Sequence, residues 1–233
     1  MLRKVDHKQM GTSHLGWLNS TFHFSFAEYY NPNNIQFGAL RVINDDLIAP
    51  HTGFDLHPHR DMEIISYVVK GALTHQDSMG NKHTITRGQV QYMSAGTGVF
   101  HSEHNRGEEE LRMLQIWILP DRYGHTPHYG EFLFTMDERK NKWLHMVSDK
   151  KGTAPIQINQ DANLYALELD AGKEIDFEVA EGRQAYLVEI EGRATINDIE
   201  LETRDGLEIK EEDIHIKSQD TAHILVIEMA KID

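Results

Sequence analysis

The sequence predicts an all-β protein built as two barrels or double-sheet sandwiches, with helices few and short. Three observations carry this expectation. Short apolar or alternating runs separated by turn residues recur along most of the 233 residues. No long stretch keeps a 3.6-residue apolar period. A weak internal repeat divides the chain in two.

The runs include GALRVIN, EIISYVVKG, ALTHQD, HTITRG, VQYMSAG, LRMLQIWIL, LYALELD, IDFEV, AYLVEIEG, RATIND, IELETRDG and HILVIEM. They are rich in Val, Ile, Tyr and Thr, which fit a pleated, half-buried surface, and Gly, Asn and Asp stand between them. Asp77-Ser-Met-Gly-Asn81, between two such runs, predicts a hairpin turn. The rhythm breaks from about Pro120 to Gly152, where Pro120, Gly124, Pro127, Gly130 and a charged stretch from Asp137 to Lys142 read as a connection. On either side, Tyr67-Val-Val-Lys-Gly71 is echoed by the run from Tyr186 to Gly192, and a turn glycine follows each, Gly88 and Gly206. The expected domains are residues 1–130 and 131–233.

Composition excludes several function classes. With no cysteine there is no disulfide, thiolate metal site or cysteine nucleophile, so any metal must be held by nitrogen and oxygen. A net charge of −14 disfavours direct contact with a nucleic-acid backbone. The sequence has no run of about 18 apolar residues that could span a bilayer. The N-terminal MLRKVDHKQMGTSHLGW lacks the apolar core of a signal peptide, so the expected compartment is the cytoplasm. Gly96-Thr-Gly98 lacks the third glycine of a dinucleotide signature.

Fifteen histidines make their spacing worth reading. His57-Pro58-His59 sets two imidazoles at i and i+2, which share one face of a strand. His101-Ser102-Glu103 repeats the spacing with an imidazole and a carboxylate. Two such dyads on neighbouring strands converge four ligands on one point, a donor set suited to iron, copper, nickel or zinc with positions left open. Pro58 places its strand at an edge, or begins it there. Against this, a single H-x-H is a weak signal, and Glu63 competes with Glu103 as the carboxylate. His51, His75, His104, His125 and His128 read as pocket or surface residues.

At these residues the sequence resembles the cupin superfamily, and within it the pirin family. The stretch from Gly53 to Glu63 with Tyr67–Gly71 is similar to the first cupin motif. Gly88 to Glu103 is similar to the second in its pirin form, with Ser94 where proline is usual and two extra residues before the histidine. His23–Phe26, Leu40–Asp46, His75–Ser78 and Leu114–Ile118 extend the match, which covers about residues 10 to 130. The resemblance implies a bicupin whose N-terminal domain holds one divalent metal, Fe(II) first, with Ni, Cu, Zn, Mn or Co as alternatives. It assigns the ligands to His57, His59, His101 and Glu103, and so favours Glu103 over Glu63. Aligning Gly192 with Gly71 and Gly206 with Gly88 puts Glu178, Ala180, Gln219 and Thr221 at the ligand positions of the second domain, which is therefore expected to hold no metal.

The family resemblance implies a metal-dependent dioxygenase acting on a flavonol such as quercetin with O2, with Glu103 as ligand and general base. A second implied role is an iron-dependent, redox-responsive regulatory protein acting through a protein partner. A third is a metal-stabilised bicupin acting on another aromatic or enol substrate.

Overall fold

The computed structural model describes residues 1–231, so positions 232 and 233 of the expected second domain lie outside the described residues. The all-β expectation holds: among the described residues 22 strands fall into four sheets, and the helical content is two single 3-10 turns, His7–Gln9 and Met136–Glu138. No helix among the described residues is long and apolar enough to cross a membrane.

One seven-stranded sheet runs in spatial order β12 (His128–Phe132), β9 (Val90–Ser94), β6 (Glu63–Lys70), β11 (Leu111–Ile118), β4 (Leu40–Ile48), β3 (Leu18–Phe22) and β2 (Gly11–His14). A four-stranded sheet completes this half: β5 (Thr52–His59), β10 (Val99–Asn105), β7 (Ala72–Asp77) and β8 (Lys82–Thr86). The other seven-stranded sheet is β1 (Leu2–Val5), β20 (Gly206–Lys210), β17 (Arg183–Glu191), β22 (Ala222–Ala230), β15 (Ala162–Leu169), β13 (Leu144–Asp149) and β14 (Ile156–Ile158). Its companion is β16 (Glu174–Phe177), β21 (Ile214–Ser218), β18 (Arg193–Ile196) and β19 (Ile199–Glu202). Each of β4–β11 has its counterpart, in the same spatial order, among β15–β22. The repeat glimpsed at the glycines is thus a repeat of topology.

Strand alternation sorts the side chains between two environments. On β11, Leu114, Ile116 and Ile118 join a large core shared with Tyr186, Val188, Leu225 and Ile227 of the other half, while Leu111 and Met113 face a smaller core inside the first half. The seven-stranded sheets therefore pack back to back through the largest core. Two buried tyrosines cross it in opposite senses: Tyr67 hydroxyl meets His223 Nε2 at 2.6 Å, and Tyr186 hydroxyl meets His23 Nδ1 at 3.0 Å.

Two features depart from the sequence reading. The first strand, at the N-terminus, pairs with β20 of the second half, Leu2 opposite Ile209. The stretch from Pro120 to Gly152 is also not purely a connection, since β12 adds to the first sheet beside β9 and β13 opens the second half. Four residues or so of weakly apolar sequence leave such pairings to tertiary contact. The hairpin at Asp77 forms as expected, with Asp77 Oδ1 accepting from the backbone N–H of Met79 and Asn81.

Candidate metal centre

Strands β5 and β10 pair antiparallel with His101 directly opposite His57 and Val99 opposite His59. Being at i and i+2, His57 and His59 project to one side, and the three rings gather with centroids 4.5 to 4.9 Å apart. Their ligand nitrogens lie within 4.8 Å of one another. Pro58 is tolerated because β5 is the edge of its sheet, the strand running on from Thr52 through it. Close approach of β5 to β10 needs Gly53, where an added Cβ would stand 2.3 Å from the Glu103 carbonyl oxygen.

Two of the three rings are in the neutral state a metal requires. His57 Nδ1 lies 2.7 Å from the carbonyl oxygen of Asp55, which can only accept, so Nδ1 is the donor there and Nε2 is the nitrogen left to take a ligand. Burial, reinforced by the neighbouring imidazoles, pulls the His59 pKa down to about 4 and the His101 pKa down to about 3, so both rings are neutral near pH 7. His101 is 1% exposed, yet neither of its ring nitrogens has a hydrogen-bond partner. A buried polar group left this way is costly without a ligand. The donor set and the orphaned nitrogens fit a divalent first-row ion, which these rings would hold.

Glu103, two residues beyond His101, is also buried and turned inward. Its Oε1 accepts from Ser66 Oγ at 2.8 Å and Gln91 Nε2 at 2.5 Å, and its Oε2 from Gln115 Nε2 at 2.7 Å. A carboxylate oxygen of Glu103 lies within 4.8 Å of a nitrogen of His101 and of one of His75. Glu63, the competing carboxylate, faces the other way. It accepts from Tyr92, Ser94 and the Asn159 side chain, and from the Asn159 backbone, at the junction between the halves.

Several residues of this region were not singled out by sequence. His75, read there as a pocket or surface residue, is fully buried, its ring 5.4 Å from His101 and its Nε2 3.0 Å from Asp77 Oδ2. Ser66, Gln91 and Gln115 were invisible because they reach Glu103 from three other strands. Of the other histidines read that way, His51, His104 and His125 sit beside Glu108, Asp55 and Asp121, and His128 packs near the Tyr92 ring.

A cavity of about 290 Å3 opens beside His57, His59 and Glu103. Leu15, Leu18, Phe22, Phe26, Phe54 and Trp117 give it apolar walls. Asp46 also lines it, on the inner face of β4. Burial, with the Asp45 and Glu103 charges adding to it, pushes the Asp46 carboxyl up to about 7. Its neighbour Asp45 points to the opposite face of the strand. Burial opposes that carboxylate too, but Arg112 and Arg204 outweigh it and hold Asp45 below the usual range.

The register shows what the second half carries in place of the cluster. Counting from the pair that starts each ladder, Phe177 opposite Ile214 answers to His59 opposite Val99, and Ile175 opposite Ile216 answers to His57 opposite His101. Two residues on, Ser218 answers to Glu103. The glycine alignment had instead pointed to Glu178, Ala180, Gln219 and Thr221, which lie just past the ends of β16 and β21.

Two jelly-roll halves of one topology, one with a histidine cluster inside, define a bicupin. The family model for Pirin matches residues 4–118, and the model described as the quercetinase C-terminal cupin domain matches residues 135–229. The chain is 40% identical over 233 residues to quercetin 2,3-dioxygenase of Escherichia coli K12, covering 99% of each. It is 44% identical over 230 residues to a pirin-like protein of Caulobacter vibrioides, covering 98% of this chain and 99% of the relative. The crystal structure of the bacterial pirin YhhW from Escherichia coli in complex with nickel(II) matches with a TM-score of 0.93 at 38% identity, over 100% of both chains. The chain belongs to the pirin family.

Proposed function

We propose that this protein is a metal-dependent dioxygenase that opens a flavonol such as quercetin with O2, releasing carbon monoxide, and that His57, His59, His101 and Glu103 hold its one divalent ion. Fe(II) is the ion proposed, with nickel the first alternative because a structural relative is described in complex with it. The observation that carries the reading is a cavity lined by His57, His59 and Glu103 of the cluster and by the aromatic rings of Phe22, Phe26, Phe54 and Trp117. Its volume is near the lower end of the roughly 300–1,000 Å3 typical of small-molecule sites.

A bound divalent ion supplies Lewis acidity and a template for the substrate's enol oxygens and O2. The residues do the rest. Phe22, Phe26, Phe54 and Trp117 sandwich a flat ring system and exclude water. Ser66, Gln91 and Gln115 hold the Glu103 carboxylate in place, and Glu103 accepts the proton of the substrate's 3-hydroxyl. In the second half, Ile175, Phe177, Ile216 and Ser218 offer no nitrogen or carboxylate, and we propose that it holds no ion.

A second reading, a metal-responsive protein acting through a protein partner, draws on one feature. Leu56 and Phe100, adjacent in sequence to His57 and His101, are 69% and 52% exposed on the outer face of the same strands. Aerobic incubation of metal-loaded protein with quercetin separates the two. Loss of the flavonol absorbance with release of carbon monoxide is expected, and full metal with no turnover of any flavonol overturns the enzyme reading. The Glu103→Gln variant, compared at matched metal content, is expected to lose about 10²-fold in turnover, the size of a lost positioned base.

A further inference from the structure

The cavity has a second polar wall that the histidine cluster does not use. Strand β4 turns Asn44 and Asp46 inward, two residues apart, and β3 sets Ser20 directly opposite Asp46. All three line the cavity that also holds His57, His59 and Glu103. Asn44 and Asp46 are 4% and 2% exposed.

Their hydrogen bonding is incomplete in a particular way. Asp46 Oδ1 accepts from Ser20 Oγ at 2.5 Å, the one side-chain donor it has. Asn44 Oδ1 is buried with no partner. The other carboxylates turned into this half differ: Glu103 has three donors, and Asp77 is held by Asn81, His75 and backbone N–H groups. Asp46 therefore has a single side-chain donor for two carboxylate oxygens, and Asn44 Oδ1 and Trp117 Nε1, in residues that line the same cavity, are buried with no partner among the described residues. Groups of this kind are satisfied by ordered water or by a ligand that displaces it. This ligand must offer at least one hydroxyl to β4 while the rest of its surface suits apolar walls.

We propose that Asn44 and Asp46 are specificity-determining residues: they hydrogen-bond a hydroxyl that the substrate carries apart from the oxygens it presents to the histidines. The inference rests on the dioxygenase reading for the identity of those oxygens. It narrows the substrate class to polyhydroxylated aromatic enols and disfavours an aromatic enol with no further hydroxyl. A site built to accept from a hydroxyl discriminates against an analogue lacking it, because its own acceptors are then left unpaired.

The test compares quercetin with 3-hydroxyflavone, which keeps the 3-hydroxyl and 4-carbonyl but has no other hydroxyl. Dissociation constants are measured on metal-loaded protein by quenching of tryptophan fluorescence, and kcat/KM alongside. Wild type is expected to prefer quercetin about tenfold or more. The Asp46→Val and Asn44→Ala variants, at wild-type metal content, are expected to bring the ratio of the two dissociation constants to within about twofold of unity. The Asp46→Asn variant, which keeps a carbonyl acceptor and is the milder change to the fold, should recover part of the preference. Equal binding of the two compounds by wild type, or a preference unchanged in both Asp46→Val and Asn44→Ala, overturns the inference. Selective binding of quercetin without turnover would sink the dioxygenase reading and leave this one standing. Binding of neither compound sinks both.

Discussion

The two halves share one strand order and spend the same inner positions differently. In the first half, β5 and β10 turn His57, His59, His101 and Glu103 inward, backed by Ser66, Gln91, Gln115 and His75. In the second, β16 and β21 put Ile175, Phe177 and Ile216 at the matching places, packed with Leu187, Leu207 and Ile209. Each buried Ile or Phe stabilises by roughly 1.5–3 kcal/mol, whereas a buried imidazole without a partner detracts. The first half gives up core stability for a site. The second half and the core between the large sheets supply the rigidity that holds it.

Exchanging the two solutions should have the largest effect. Ile216→Asn removes an apolar core side chain and leaves an unsatisfied amide, and is expected to destabilise the protein by about 4 kcal/mol or more. The reciprocal change, His101→Ile, removes two orphaned nitrogens. It should abolish metal binding and yet make the metal-free protein more stable than metal-free wild type by about 1–3 kcal/mol. Urea unfolding of the chelated proteins measures both, and a His101→Ile variant less stable than metal-free wild type would break the comparison.

Acid should separate the two strand pairs next, β5 and β10 from β16 and β21. His59 and His101 have folded pKa values lowered to about 4 and about 3, against about 6.5 in an unfolded chain. The unfolded state therefore binds protons first as the pH falls below 6.5, and stability is lost toward pH 4 at roughly 1.4 kcal/mol per unit for each ring. His215, near the matching place in the second half, is exposed, and Asp176 beside it raises its pKa, so it gives no such loss. Amide hydrogen exchange of metal-free protein, corrected for intrinsic rates, should show protection falling between pH 7 and 5 in β5 and β10 and holding in β16 and β21. Equal loss in both pairs would contradict the account.

A smaller effect is expected from Glu63→Gln. That carboxylate joins the halves through Tyr92, Ser94 and Asn159, so its loss should cost about 1–3 kcal/mol of stability while metal content stays near wild type. Thermal unfolding together with metal analysis checks both parts, and a metal-depleted variant would return Glu63 to the ligand set.

What could be read from sequence follows from what is local. The alternating runs place most strands, because side-chain parity is carried by each strand alone. The same parity puts His57 with His59 and His101 with Glu103. Residues that meet across strands could not be read: Gln91, Gln115 and Asp46 look like ordinary strand residues until β9, β11 and β4 are set in register. The pairing of Leu2–Val5 with β20 joins positions about 200 residues apart, and four residues carry no pattern that names such a partner. The glycine alignment points elsewhere in the second half because Gly88 sits in the turn before β9 whereas Gly206 is already the first residue of β20, and the segments between the glycines and the ligand strands differ in length.

The central claim is that one of two equivalent frames is fitted for an ion and the other for a dry core. Metal per chain, measured by plasma mass spectrometry on dialysed full-length protein, tests it most directly. The account predicts one equivalent of a divalent transition metal in wild type and none in a His57→Ala/His101→Ala double variant. Two equivalents in wild type, or one surviving in the double variant, would contradict it.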